Sequence, residues 1–290
     1  MDARDLITFE TVARLGGMGR AARELNTVQS NVTQRVHRLE ETLGVTLFAR
    51  SRSGARLTAA GERLMPYARR IGVLLEEATQ AARDDGAPRG TLTVGSLETT
   101  AALRLSPLLA TYARDYPKVD LVLRTGTTTE LVERVLQRDL EGAFVCGPVT
   151  HAELLSTHIF EEDLVLMSAP HERSLTKLLA KPDLRLIVLR AGCSYRQRLE
   201  EFLARRGVVG LRLLEFGTLE AIFGAVAGSL GITLLPRALI GPIWRRGRVA
   251  VHRLPAADAR VQTVLIQRRD ALCSSAMVAF RDLVAGRRRS

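Results

Sequence analysis

Between positions 29 and 38 the chain carries Gln29, Ser30, Asn31, Thr33, Gln34, Arg35 and Arg38. These side chains share one chemistry: amides bond adenine bidentately, hydroxyls both donate and accept, and guanidinium groups take guanine or phosphate. No carboxylate stands between Val28 and Leu39, whereas an ordinary solvated helix face mixes acids with lysines. A second cationic run follows, Leu47-Phe48-Ala49-Arg50-Ser51-Arg52-Ser53-Gly54-Ala55-Arg56-Leu57-Thr58. A hairpin turning at glycine would set Arg50, Arg52 and Arg56 near backbone phosphates, contacts that supply affinity and salt dependence more than sequence choice. The chemistry expected of both runs is the reading of double-stranded DNA.

The elements that would hold these residues follow from periodicity. Leu6, Phe9, Val12 and Ala13 repeat at helical spacing, and Gly16-Gly17 ends that helix. A short helix from Arg20 to Leu25 sets Ala21, Ala22 and Leu25 on one face, and the small alanines let a neighbouring helix come close. After a tight break at Asn26-Thr27, a third helix from about Val28 to Leu43 carries the stripe Val32, Val36, Leu39 and Leu43, closed by Gly44. The polar set lies opposite that stripe, with Thr27 added at its start. Three short helices with a tight turn before the last make a helix-turn-helix, and the basic hairpin is its wing.

Thr58 is placed to cap a long helix reaching about Arg83, whose Leu64, Ala68, Ile71, Leu75, Ala78 and Ala82 form a heptad seam. Such a seam packs either on its own domain or on a partner helix. Pro66 removes one hydrogen bond and is expected to bend the helix near its start. Asp84-Asp85-Gly86-Ala87-Pro88-Arg89-Gly90 has the composition of a linker.

From Thr91 the texture becomes α/β. Strands are expected at residues 92–95, 119–124, 142–146, 164–169, 186–189, 211–216, 232–235 and 261–267, with helices between most of them. In such sheets ligands sit at strand carboxyl ends against helix N-termini. Small hydroxyl residues crowd those positions: Ser96, Glu98, Thr99 and Thr100 after the first strand, and Thr125, Thr127 and Thr128 after the second. Cys146-Gly147, Cys193-Ser194-Tyr195 and Gly217-Thr218 follow later strands. Each run alone is better read as helix capping than as binding; their convergence suggests a small-molecule site. Helix N-termini with hydroxyls favour a small anion, and Arg196 would add to this if it pointed inward. Glu98 favours an amine, and a zwitterion reconciles the two. Cys193 at a helix start suggests a lowered thiol pKa and, with Cys146, a redox switch; two small buried residues are the plainer alternative.

Composition bounds the rest. The 290 residues suit two or three domains, 46% are apolar and 25% charged, and the net charge of +11 attracts polyanions or acidic membranes. The three scattered cysteines form no zinc or disulfide pattern. The opening MDARDLITFE lacks a leader's apolar core, and the apolar stretch from Ile222 to Leu235 is too short to span a bilayer. A cytoplasmic protein without a membrane partner is expected. The histidines His37, His151, His158, His171 and His252 show no metal spacing, and neither G-x-S-x-G nor a Walker A run occurs. No enzyme activity, metal or cofactor is expected. Gly17-Met18-Gly19-Arg20-Ala21-Ala22 mimics a dinucleotide fingerprint but follows a helix rather than a strand. Asn31-Val32-Thr33 is a formal sequon without secretory context.

The fixed offsets across residues 21–61 resemble the LysR-type transcriptional regulators: Ala21-Ala22, Leu25, Gln29-Ser30, Val32-Thr33, Leu39-Glu40, Leu43-Gly44, Leu47-Phe48, Arg50, Leu57-Thr58 and Ala60-Gly61. Gly19 stands where that family commonly has serine or threonine, and Gln34 where arginine is frequent. Cys193-Ser194-Tyr195-Arg196 and Gly217-Thr218-Leu219-Glu220 are similar to the subgroup with YofA and a thiosulfate-oxidation regulator. The resemblance implies a winged helix-turn-helix over residues 1–60 and a linker and dimerisation helix over 61–89. It implies a two-lobed effector domain over 90–290, like the type 2 periplasmic binding proteins. Lobe I would comprise 90–161 and 268–290, lobe II 162–267, with the effector in the cleft between them. It further implies a dimer of dimers on a promoter palindrome, with RNA polymerase as a partner. The rival readings are a solute-binding protein and an α/β enzyme fused to a DNA-binding domain.

Overall fold

The computed structural model describes residues 1–49, 54–241, 244 and 247–286. It divides into two compact units, Met1–Asp84 and Asp85–Ser290.

The first unit is built from α1 (Ala3–Leu15), α2 (Met18–Glu24), α3 (Gln29–Leu43), β1 (Phe48–Ala49), β2 (Arg56–Leu57) and α4 (Ala59–Arg83). Asp2 caps α1, which stops at Gly16 in the left-handed conformation that a side chain would strain, φ 69°. Gly44 ends α3 in the same way at φ 67°. Ala21 and Ala22 pack with Val12, Val32 and Val36, and Leu6, Phe9, Leu39, Leu47 and Ala68 form an adjoining core. The apolar stripe of α3 ends at Leu39. Leu43, expected inside, is exposed because the last turn of α3 runs past the core that Leu47 closes. The antiparallel pair Phe48↔Leu57 and Ala49↔Arg56 forms the stem of the wing; the expected phosphate anchors Arg50 and Arg52 lie outside the described residues.

Thr58 does double duty at the start of α4. Its hydroxyl accepts from the Gly61 amide at 3.1 Å and donates to the Thr46 carbonyl at 2.7 Å, pinning the helix to the segment before β1. The helix runs through Pro66 without interruption. Its seam is half used: Leu64, Ala68 and Ile71 pack into the unit, whereas Leu75, Ala78 and Ala82 are exposed. No described helix is long and apolar enough to cross a membrane.

The second unit opens with β3 (Gly90–Ser96), followed by α5 (Glu98–Thr100), a π-helical segment (Ala101–Leu105) and α6 (Ser106–Asp115). Then come β4 (Val119–Thr125), α7 (Thr128–Leu136), β5 (Gly142–Cys146), β6 (Leu154–Ser168) and α8 (Leu175–Leu179). The remainder is β7 (Arg185–Val188), α9 (Ser194–Ala204), β8 (Arg212–Glu215), α10 (Leu219–Ala227), β9 (Thr233–Pro236), β10 (Ala250–Arg253), α11 (Ala256–Ala259), β11 (Arg260–Arg268) and α12 (Ser275–Gly286). Strands β3, β4 and β5 are parallel, joined by helical crossovers. The main sheet runs β10-β6-β11-β5-β3-β4, with β9 also on β6. Strands β7 and β8 pair in parallel, and a bridge from Leu186 to Ile232 ties them toward β9.

Two long strands carry the chain across. Over residues 154–163 β6 pairs with β11, and over 164–168 with β9 and β10. The sequence suggested β6 only from Leu164, because Leu154–Asp163 is rich in polar and acidic residues; edge-to-edge pairing with β11 makes it a strand regardless. At the crossing Glu162, buried, accepts a bidentate clamp from Arg104 on the π-helical segment, at 2.7 and 3.2 Å. On one side Leu92, Val94, Phe144 and Leu265 pack with Leu108, Tyr112 and Phe280. On the other, Leu164, Leu166 and Ile187 pack with Leu199, Phe202, Ile222 and Val226.

Candidate nucleic-acid interface and ligand cleft

Helix α3 presents Gln29, Ser30, Thr33 and Gln34 to solvent. The Thr33 hydroxyl donates back to the Gln29 carbonyl at 3.0 Å, the usual idling position of a helical threonine. Gly19 lies beneath the Gln29 amide: a Cβ there would stand 3.1 Å from Gln29 Oε1. The residue that departs from the family pattern therefore makes room for the first residue of α3. Helix α2 starts at Met18 after Gly17, with no side-chain cap. Asn31 donates to Thr27 Oγ1 at 2.9 Å, so these two expected DNA contacts hold each other across the turn.

Two arginines of the expected face have a partner inside the protein. Arg35 and Arg38 reach Asp5 Oδ1 at 3.2 and 2.6 Å, and Asp5 is only 2% exposed. Burial pushes the Asp5 carboxyl up, and the Arg38 and Arg35 guanidiniums beside it more than reverse this, leaving it below its ordinary value. The pairing fastens α3 to α1. No spacing rule connects Asp5 to positions 35 and 38, so the sequence carried no signal for it. Arg56 is exposed on β2, as a phosphate contact requires.

In the second unit a narrow cleft of about 480 Å³, its open mouth included, is lined by Leu97, Glu98, Thr99, Thr125, Gly126, Thr127, Leu189, Arg190, Cys193, Ser194 and Tyr195. The turns after β3 and β4 form one wall and the turn between β7 and α9 the other. The walls touch: Ser194 Oγ donates to Thr128 Oγ1 at 3.0 Å, and the Thr99 and Tyr195 hydroxyls lie 3.5 Å apart. Glu98 also lies within electrostatic reach of the Leu219 amide that opens α10. Burial pushes its carboxyl above the ordinary value, Glu220 adds to this, and the Leu219 amide and Arg190 oppose it.

Several expected ligand contacts stand behind the wall. Ser96 is buried and donates to the Leu97 carbonyl at 2.9 Å. Thr100 is buried, and Thr128 is occupied by Ser194. Thr127 lines the cleft and also forms a capping box with Glu130 on α7. Thr218 caps α10 through the Ala221 amide, and neither it nor Gly217 lines the cleft. Gly147 is held by the Gln262 carbonyl at 2.7 Å, close against Val264. Arg196 turns away to Glu200 and Glu215 at 3.1 and 3.6 Å. The cation that does face the cleft is Arg190, which in sequence reads only as part of a connection. Leu97 and Gly126 were missed because, inside the hydroxyl-rich runs, they carry no polar side chain, and Leu189 because it read as a strand end.

Cys193 and Cys146 both depart from the expectation of a lowered thiol pKa. Burial pushes the Cys193 thiol up, and the Arg196 and Tyr195 amides that it meets at the start of α9 do not offset this. Burial does the same to Cys146. Desolvation outweighs the lowering expected from the helix start, so the Cys193 thiol lies above rather than below its ordinary value.

Residues 3–62 match the family described as bacterial regulatory helix-turn-helix protein, lysR family, and residues 85–289 match the LysR substrate binding domain. Among curated relatives, the transcriptional regulator YusT of Bacillus subtilis (strain 168) is 43% identical over 97% of this chain and 95% of its own length. YofA of the same organism is 40% identical over 97% and 98%. Among solved structures, a full-length OxyR of Pseudomonas aeruginosa, a variant with one cysteine changed to aspartate, aligns with a TM-score of 0.70 at 23% identity, covering 100% of this chain and 95% of that one. CbnR in complex with its target DNA aligns with a TM-score of 0.68 at 24% identity, covering 99% and 100%. At those identities the structural likeness speaks for the fold.

Proposed function

The chain belongs to the LysR family of helix-turn-helix transcriptional regulators, and from that premise we propose that its DNA binding is controlled by a small anionic or zwitterionic molecule held in the Glu98–Arg190 cleft. One observation carries this reading. Residues from three separate turns converge on a cleft whose Arg190 forms no ion pair among the described residues. The occupant would be cytoplasmic and small. Residues 1–60 serve as the DNA-binding domain and 61–89 as linker. Lobe I takes in 90–161 and 268–290, lobe II 162–267. Occupancy changes the relative population of two lobe arrangements and so the placement of two DNA-binding modules. The exposed half of the α4 seam, Leu75, Ala78 and Ala82, pairs two chains, and two dimers join on an imperfect promoter palindrome, where RNA polymerase is the further partner.

Gln29→Ala and Arg56→Ala test the DNA side by fluorescence anisotropy on the operator. Loss of a bidentate base contact at Gln29 is expected to weaken binding about 5- to 150-fold and to relax specificity. Loss of a phosphate contact at Arg56 weakens all sequences alike and lowers the salt slope by about one. Unchanged operator affinity in both variants would refute the assignment of face and wing.

A further inference from the structure

Within the proposed cleft, Glu98 and Arg190 are the acid and the base among the described lining residues. They sit on opposite walls: Glu98 follows β3, and Arg190 follows β7. Glu98 is partly buried and lies within electrostatic reach of the Leu219 amide, of a second acid, Glu220, and of Arg190, with no ion pair joining it to Arg190. Arg190 is exposed at the mouth. A desolvated carboxylate is stabilised most by a cation at short range, and an unpaired guanidinium by a carboxylate that meets its planar fork.

A simple anion satisfies Arg190 and is repelled by Glu98. A simple amine satisfies Glu98 and is repelled by Arg190. A ligand carrying both charges neutralises both residues and, because they lie on opposite walls, ties the walls together. The rest of the cleft offers Leu97, Leu189 and hydroxyls, with no third charge among the described lining residues. The ligand's remaining part is therefore uncharged and small. Resting on the ligand-cleft reading above, we propose that the cleft takes a zwitterion of net charge zero, an α-amino acid with a small uncharged side chain, its ammonium on Glu98 and its carboxylate on Arg190. Glu98 is the residue that distinguishes this ligand from a plain carboxylic acid.

The test uses the purified full chain with isothermal titration and thermal shift. The probes are the uncharged L-amino acids, their N-acetyl derivatives, and the carboxylic acids and amines that lack one of the two groups. At least one amino acid is expected to bind and raise Tm, with N-acetylation or removal of either group weakening binding at least about 10-fold. Glu98→Gln preserves volume and an acceptor for the Leu219 amide. It is expected to weaken amino-acid binding about 10- to 100-fold without weakening the matched carboxylic acid. Arg190→Gln is expected to weaken the amino acid and spare the matched amine. Melting curves of the ligand-free variants check that each one folds. A carboxylic acid that binds as tightly as the amino acid, sensitive to Arg190→Gln but not to Glu98→Gln, overturns the zwitterion and leaves the cleft reading standing. Binding indifferent to both substitutions places the ligand elsewhere and overturns both. Failure of every amino acid to bind overturns the zwitterion assignment.

Discussion

Replacing Arg104 by methionine tests how the two halves of the ligand-binding unit are joined. The side chain is 39% exposed, whereas that of its partner Glu162 is 4% exposed, so the substitution strands a buried carboxylate at the strand crossing. Removing one partner of a fully buried pair costs about 3–5 kcal/mol. Here the pair borders an open depression in which Arg237 and Arg260 are offset by Glu161 and Asp163, so solvent reaching the part-exposed pair, rather than a second cation, softens the loss. A loss of about 2–3 kcal/mol is expected, or about 5–10 °C in Tm for a unit of this size. The second variant is Arg104→Met combined with Glu162→Leu, which removes the charge itself. It should recover at least half of the loss, a coupling of about 1–3 kcal/mol. Trp244, the chain's single tryptophan, is buried in this unit and reports its unfolding in urea by fluorescence. A single variant within about 0.5 kcal/mol of the parent, or a double variant that loses the sum of the two single losses, would refute the reasoning.

Further outcomes follow from other contacts. His252 is buried, accepts or donates one hydrogen bond at 2.8 Å with Ser168, and burial lowers its pKa from 6.5. The unfolded chain then binds the extra proton first, so stability is full above about pH 6.5 and falls as the pH drops through that value toward the folded-state pKa. His252→Gln should flatten this part of the stability–pH curve, and an unchanged slope counts against it. At Gly61 a Cβ would collide with the Leu47 carbonyl oxygen, a backbone atom that cannot swing aside. Gly61→Ala is expected to cost about 1–3 kcal/mol and to weaken operator binding, since α4 must back away from the wing; a variant with parental stability contradicts the close approach. Asp5→Ala frees Arg35 and Arg38 for phosphates. It should strengthen non-specific DNA binding and steepen the log K against log salt slope by up to about two, which a salt titration on random DNA reads directly.

The DNA-binding half was largely legible in the sequence because its determinants are local. Helical period, the glycines at 16 and 44 and the capping Thr58 each act within a few residues, and α1, α3 and α4 fall where those signals put them. The same local view failed at Leu43, at the start of β6 and at β10, since burial and edge pairing there depend on distant strands. In the cleft, Glu98, Thr99, Thr125, Thr127, Cys193, Ser194 and Tyr195 were found from strand ends and hydroxyl runs. Ser96 and Thr218 carried the same signal yet serve the backbone, and Thr100 is buried outside the cleft lining, because a hydroxyl that caps and one that faces a ligand look alike in sequence.

What the sequence determined by itself was the kind of protein: a helix-turn-helix module of the LysR family followed by an α/β substrate-binding domain. Only the tertiary structure decided which charges are available. Asp5 occupies Arg35 and Arg38, Glu200 and Glu215 turn Arg196 away, and Glu162 holds Arg104, leaving Arg190 opposite Glu98. The physical reason is that electrostatic pairing falls off within a few ångströms, while the residues that pair are separated along the chain by distances that no local pattern records.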